Sequence, residues 1–384
     1  MEVTSTVKYV GADDLTLDLF ESQYPIPHGV SYNSYVILDE DTTVMDTVDQ
    51  RASEAWQKNL KEVLGETKPA YLVVSHLEPD HAANIGWFLK EYPDTTVLCS
   101  AKAKAMLPQF FELDGTEKVR TVAEGEEISI GSHTLQFFMA PMVHWPEVMV
   151  TYEKSEKILF SADGFGTFGA LSENLPWIEE ARRYYTNIVG KYASPVQQLL
   201  KKAATLDIAC IAPLHGPVLR EDLGYYIEKY QKWSTYTPEE SGILLAYASI
   251  HGNTKKAALA FAKELEEAGE KVETIDLTRV HASYGIEKAF QYDRMILAAC
   301  TYDGGLFPPM EDFLNHLKAK ALTGRKVGLI ENGSWGPMAA KKMREQIETM
   351  KGMEVIETQV TIRSTRKDAD ADAFHILAEA MKAD

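Results

Sequence analysis

Apolar and polar positions follow two different patterns along the chain, with a break at the polar stretch STYTPEESG (234–242). Before the break, short β-branched and aromatic runs recur at irregular intervals: YNSYVIL, TTVMDTV, AYLVVS, TTVLCS, TLQFFMA, EVMVTY, KILFSAD and IACIAPL. Their length, composition and flanking turn residues predict strands. KAKAMLPQFF and PWIEEARRYYTNIVGKY predict helices. Strands with interleaved helices predict a sandwich of two sheets covered by helices. After the break the alternation is regular. Strands ILLAYAS, KVETIDL, RMILAAC, KVGLIEN and EVIETQVT are interleaved with helices NTKKAALAFAKELEEAG, MEDFLNHLKAK, GPMAAKKMREQIETM and DADADAFHILAEAMKA. That order predicts a parallel, doubly wound sheet with ligands at the carboxyl ends of its strands. The expectation is an α/β chain of two domains, residues 1–240 and 241–384.

Length and composition agree with this division. A chain of 384 residues is too long for one ordinary domain, and 45 % hydrophobic residues suffice for a core in each half. The formal net charge of −18 argues against nucleic acid or an anionic membrane as the main partner. A basic or neutral redox protein is a better electrostatic match. The three cysteines, Cys99, Cys210 and Cys300, are far apart and form no C-x-x-C pair. A disulfide framework, a rubredoxin-type iron site and a zinc ribbon are therefore not expected. The start MEVTSTVKYVGADD lacks the basic and apolar segments of a signal peptide, and no run has the length of a membrane span. A cytoplasmic protein is expected.

The densest chemistry lies in SHLEPDH (75–81), directly after the run AYLVV. His76, Glu78, Asp80 and His81 put four potential ligands within six positions. Two imidazoles and two carboxylates at this density call for bound cations, and a pair of metal ions would serve. Zinc hydrolases with a similar motif usually carry His at the third position. Glu78 is a harder donor and shifts the preference towards iron or manganese. Further potential ligands follow other strand-like runs: His144 after TLQFFMAPMV, Asp163 after ILFSA and His215 after IACIAPL. Any one of these alone is an ordinary structural residue. Together, on loops at strand ends, they can converge at one edge of a sandwich.

The second half carries a different signature. Ser249, Ile250, His251, Gly252, Asn253 and Thr254 lie between a strand and the helix that begins near Asn253. Small and hydroxylated residues there let backbone N–H groups approach a phosphate at a helix N-terminus. The chain has neither G-x-x-x-x-G-K-[ST] nor G-x-G-x-x-G at this turn, which excludes a Walker-type triphosphatase and a dinucleotide fingerprint. Two more loops, TYDGGLFPPM (301–310) and ENGSWGP (331–337), follow later strands. The three loops would meet at the switch point of a flavodoxin-like sheet, where flavin mononucleotide (FMN) binds.

With these motifs in this order, the chain resembles the flavodiiron proteins: a metallo-β-lactamase-like αββα sandwich followed by a flavodoxin-like domain. By that resemblance His76, Glu78 and His144 hold one iron, Asp80, His81 and His215 hold the other, and Asp163 bridges them. His28 and Tyr192 resemble residues around the family's iron pocket that donate a hydrogen bond or proton to bound oxygen. The phosphate cradle falls on Ser249, His251, Gly252, Asn253 and Thr254. Thr301, Tyr302, Asp303, Gly304 and Gly305 line one edge of the flavin ring, and Ser334, Trp335 and Gly336 approach the other side. The chain departs from the family at Asp303, where Asn is more usual.

The resemblance implies an oxidoreductase with FMN and two non-haem iron ions per chain. It reduces dioxygen to water, nitric oxide to nitrous oxide, or both. The external donor is rubredoxin, with a reduced deazaflavin as runner-up. Assembly is a head-to-tail homodimer or a dimer of dimers. Two other classes compete: a binuclear-metal hydrolase of the metallo-β-lactamase superfamily, and a non-catalytic oxygen or redox sensor. Glu78 and the flavin half both speak against the hydrolase.

Overall fold

The computed structural model describes residues 3–112, 115 and 117–383. The chain forms two compact units. The first runs to Tyr185 and resumes over Tyr192–Gln231; the second takes Thr186–Lys191 and everything from Lys232 onward.

The first unit is built on two sheets. One has the strand order Val7–Tyr9, Tyr35–Ile37, Thr43–Met45, Tyr71–Val74, Thr96–Cys99, Lys118–Thr121. The other has the order Glu127–Ser129, Thr134–Met139, Met149–Glu153, Ile158–Phe160, Cys210–Ala212. Val7, Tyr35, Ile37, Met45, Val73 and Leu98 from the first pack with Ile128, Leu135, Phe137, Ile158 and Phe160 from the second in one buried core. Strand alternation explains the pairing, since every second residue faces the opposite sheet. Strands Thr134–Met139 and Ile158–Phe160 both run antiparallel to Met149–Glu153, and Cys210–Ala212 runs parallel to Ile158–Phe160. These three strands of the second sheet therefore end at the same edge.

The helical expectation for PWIEEARRYYTNIVGKY needs correction. A helix spans Trp177–Tyr184, a wider π-type turn follows over Tyr185–Val189, a tight turn covers Gly190–Tyr192, and a new helix starts at Ala193. Thr186, Ile188, Val189 and Gly190 all lower helix propensity. Helices Ser53–Leu64, Ile85–Glu91, Ala193–Ala203 and Leu223–Ser234 also lie outside the pattern-based expectation. Ser53–Leu64 carried a legible signal: its buried residues, Trp56, Leu60 and Leu64, recur at helical spacing.

The second unit is a parallel sheet in the order Val272–Asp276, Glu240–Ala248, Tyr292–Tyr302, Lys326–Asn332, Glu354–Ile362. This is the flavodoxin-type order, with its switch point between the first and third strands in the chain. Both faces are covered by helices and form separate cores, one around Phe290, Phe313 and Met343, the other around Phe261, Phe374 and Leu377. Helix Ala282–Gln291, which the pattern had not signalled, completes the crossover between the second and third strands. No helix among the described residues is long and apolar enough to cross a membrane.

Candidate functional site

The SHLEPDH segment changes conformation halfway along, and this sends its ligands in two directions. Glu78 has extended-type backbone (φ −59°, ψ 138°) and precedes the short helix Pro79–Ala82. In extended chain residues i and i+2 share a face, so His76 and Glu78 point together. Pro79 sets the first helical turn, and Asp80 and His81 leave from that turn. Neighbouring backbone holds the segment in place. Thr47 donates from its N–H and its hydroxyl to the His81 carbonyl (3.0 and 2.7 Å), and the Ser75 N–H donates to Asp46 (2.6 Å).

Two donor groups result. In the first, Glu78 Oε2 lies 3.2 Å from His76 Nε2 and 3.0 Å from His144 Nε2, while Asp163 Oδ2 lies 3.3 Å from each. In the second, Asp80 Oδ2 lies 3.3 Å from His81 Nε2 and 3.2 Å from His215 Nε2, and Asp163 Oδ1 lies 3.3 and 3.9 Å from the same two atoms. One oxygen of Asp163 thus faces each group. An ion held roughly 2.1 Å from each donor leaves neighbouring donors about 3.0–3.4 Å apart in octahedral or tetrahedral geometry. Seven of the eight separations fit such polyhedra, and only that between His215 and Asp163, at 3.9 Å, is longer. Neither Asp163 oxygen receives a well-aligned hydrogen bond, although the residue is buried. The Nε2 atoms of His81 and His215 face each other at 3.0 Å. At this distance the two nitrogens share either a proton or a cation. Mixed imidazole and carboxylate donors, without thiolate, suit iron or manganese.

Electrostatics within the cluster point the same way. Burial opposes ionisation of both acid and base, yet their proximity outweighs it. Asp163, Glu147 and Glu78 raise His76 well above the ordinary imidazole range against its burial. Asp163 and Glu78 likewise raise His144 to about 9. His144 and His76 hold Glu78 down at about 2, and the histidines hold Asp163 well below the carboxylate range. Such a concentration of buried mutual dependence is characteristic of functional sites. A cavity of about 230 Å³, lined by Phe20, Glu21, Tyr32, Asp49 and Arg51, reaches Glu78 and Asp80. It is large enough for a diatomic gas and its accompanying water.

In the second unit a cavity of about 580 Å³ opens at the carboxyl ends of the strands. Twelve of the fourteen residues expected around a flavin line it: Ser249, Ile250, His251, Asn253, Thr254, Thr301, Tyr302, Asp303, Gly304, Ser334, Trp335 and Gly336. Gly252 and Gly305 do not. Gly252 instead supplies the backbone turn (φ 89°) that starts helix Asn253–Glu267, and its N–H donates to Ser249 Oγ at 3.1 Å. That helix has no side-chain cap, so its positive end is available to a phosphate. Asp303 and Gly304, with φ of 48° and 71°, form the two-residue turn of a hairpin pairing Thr301 with Leu306 and Tyr302 with Gly305. Asp tolerates this left-handed conformation, as Asn does.

A family model described as ODP family beta lactamase matches residues 30–216, and one described as Flavodoxin matches residues 245–376. A nitric oxide reductase of Moorella thermoacetica is 28 % identical, covering 99 % of this chain and 98 % of its own length. The rubredoxin-oxygen oxidoreductase of Megalodesulfovibrio gigas is 29 % identical, covering 96 % and 94 %. Among solved structures, the rubredoxin oxygen:oxidoreductase of Desulfovibrio gigas superposes with a TM-score of 0.91 at 26 % identity, covering 99 % of this chain and 97 % of that one. The flavodiiron protein of Giardia intestinalis has the same fold, with a TM-score of 0.93 at 24 % identity over 99 % and 95 %. The chain belongs to the flavodiiron proteins. Its cofactors are FMN and a non-haem pair of iron ions.

Of the two residues expected at the iron pocket of this flavodiiron protein, His28 has its described side-chain contact outside the two donor groups. His28 is half-exposed, and its Nδ1 lies 3.4 Å from Glu173. Tyr192 is half-buried in the turn Gly190–Tyr192. Tyr184 and Tyr32 pack near a cluster histidine, with ring centroids 5.5 and 5.9 Å from that of His215. Burial, with Asp163, Asp80 and Glu78 nearby, raises the Tyr184 hydroxyl well above its ordinary range, so it remains a proton donor. Sequence reading also missed Glu147, which pairs with His76, and Asp46, which holds Ser75. In the flavin pocket it missed Cys300, Asn332, Gly333 and Ser364. The only signal for Glu147 was its place three residues after His144; nothing marked Ser364, which comes from a fourth loop.

Proposed function

We propose that this protein is a cytoplasmic oxidoreductase that reduces dioxygen to water, nitric oxide to nitrous oxide, or both. The observation that carries this reading is the double donor cluster joined at Asp163, with Glu78 at the position where hydrolases of this fold place His. Relatives named nitric oxide reductase and rubredoxin-oxygen oxidoreductase support it and do not favour a hydrolase. When bound, the iron pair and the flavin together supply up to four electrons, enough to take dioxygen to water or two nitric oxide molecules to nitrous oxide.

In this reading His76, Glu78 and His144 hold one iron, Asp80, His81 and His215 the other, and Asp163 spans both. A small ligand would reach Glu78 and Asp80 through the cavity beside Phe20 and Tyr32. Tyr184 holds a proton at its hydroxyl near the three carboxylates. The loop from Ser249 to Thr254 binds the flavin phosphate, and the loops at Thr301–Gly305 and Ser334–Gly336 flank its ring. The domains divide at residues 240 and 241. Electrons come from an external donor, rubredoxin first and a reduced deazaflavin second. A head-to-tail homodimer, or a dimer of dimers, places the flavin of one subunit by the iron of another.

The test is anaerobic reduction of the purified protein with reduced rubredoxin, then addition of each gas at an electrode. Rapid uptake of dioxygen or nitric oxide identifies the substrate. Absence of uptake of both gases, with iron and flavin present and the flavin reduced, would refute the reading.

A further inference from the structure

The two donor groups match in formal composition, but the far sides of their imidazoles differ. Behind His76 lies Glu147, 1 % exposed. Its Oε1 accepts from His76 Nδ1 at 2.7 Å and from the Leu77 N–H at 2.9 Å. A carboxylate can only accept here, so Nδ1 carries the proton, and Nε2, which faces Glu78 and Asp163, is the atom left to hold an ion. In the other group, His215 Nδ1 donates to the neutral carbonyl of Ser31 at 2.7 Å. His81 Nδ1 is buried without a hydrogen-bond partner. Among the described residues, then, His76 has a negatively charged acceptor on its Nδ1, and neither His81 nor His215 has one.

That difference has an electronic consequence. A carboxylate drawing on the Nδ1 proton makes the ring more electron-rich and its Nε2 a stronger donor. Stronger donation stabilises the higher oxidation state of a bound ion. We propose that Glu147 is a positioning residue that makes the two iron sites unequal, so that the ion held by His76, Glu78 and His144 is oxidised first. The inference rests on the diiron reading above. Each one-electron oxidation removes an electron from one ferrous ion to an added oxidant such as ferricyanide, which is reduced to ferrocyanide.

The experiment compares the full-length holoprotein with Glu147→Gln and Glu147→Asp. Iron per chain is measured first. The iron pair is then titrated from the diferrous state with ferricyanide and followed by Mössbauer and electron paramagnetic resonance spectra. The flavin steps serve as an internal control. Glu147→Gln keeps an acceptor but loses its charge. It should move the first iron oxidation to higher potential, leave the second nearly unmoved, and weaken iron binding by about 10–100-fold. Glu147→Asp should return the first step towards the parent value. Two bound irons with both steps unmoved overturn the inference, as does movement of the second step alone. If Glu147→Gln does not fold, Glu147→Asp decides: a shorter side chain weakens the bond to His76 and must shift the first step in the same direction. A parent protein that binds no iron pair overturns the diiron reading and this inference together. A normal pair indifferent to residue 147 overturns the inference alone.

Discussion

Asp163 is the residue on which the metal centre turns, because its two oxygens serve different donor groups. Asp163→Ala or His81→Ala should reduce bound iron to one ion or none and abolish gas reduction, with the flavin absorbance unchanged. Iron analysis and a visible spectrum check this, and full activity in either variant would refute the ligand assignment. Behind Arg51, which lines the cavity that reaches Glu78 and Asp80, Asp14 offers a pH test. One oxygen accepts from the Thr16 N–H and hydroxyl (2.7 Å each), and the other accepts from Arg51 Nε at 2.6 Å. Burial pushes this carboxyl up, but Arg51 and Thr16 outweigh it and hold it below the usual range. A carboxyl depressed in the folded state binds fewer protons there than when unfolded. Its contribution is therefore fully present above about pH 4, the ordinary value, and is lost as pH falls through the lower folded value. Asp14→Asn should cost about 1–3 kcal/mol at pH 7, and its unfolding midpoint should approach that of the parent as the solution is acidified below pH 4. A constant gap between the two proteins across that range would show that the charge is not responsible.

The flavin pocket depends on how elements are tied at their ends. Asn332, at the end of its strand, donates to Thr254 Oγ1 (3.2 Å) and to the Ser364 carbonyl (2.9 Å), and accepts from the Ser364 N–H (3.1 Å). It therefore links three of the four loops that line the cavity. Asn332→Ala should lower FMN affinity by about tenfold or more, the equivalent of one or two lost hydrogen bonds, and leave the iron content intact; fluorescence titration of the deflavinated protein measures it. Gly252 is a purer case of conformation. A Cβ there would meet nothing within 4 Å, so only its φ of +89° resists substitution. Gly252→Val should cost about 1–3 kcal/mol of backbone strain, or else turn the helix start away from the phosphate. Lower FMN affinity with normal iron is the expected result, and unchanged affinity and stability would show that the turn tolerates a side chain. Apart from helix Ala282–Gln291, element types in this unit were readable because strand and helix patterns alternate at full length. The first unit was harder. Its strands run to only three or four residues at many positions, and helices such as Leu223–Ser234 carry little to set them apart from the sequence around them.

At the scale of the molecule, the two donor groups lie in the first unit and the cavity expected to take the flavin lies in the second. Chelation of iron should therefore abolish gas uptake while the donor still reduces the flavin, as its bleaching in a stopped-flow experiment would show. Loss of flavin reduction on chelation would show that the donor does not reach the flavin directly. The sequence by itself determined the fold class of each half, the seven residues that gather in the two donor groups and most of those that line the cavity of the second unit. It could do so because these features depend on local order: ligands packed within SHLEPDH, single ligands placed just after strands, and small residues between a strand and a helix. Tertiary structure alone decided which donor atoms face one another, that Tyr184 and Tyr32 pack by His215, and that Glu147 stands behind His76. These relations join segments far apart in the chain, 71 residues in the case of His76 and Glu147. Nothing local marks such a partner, since one glutamate in a loop looks like another until packing removes it from water and brings it to an imidazole.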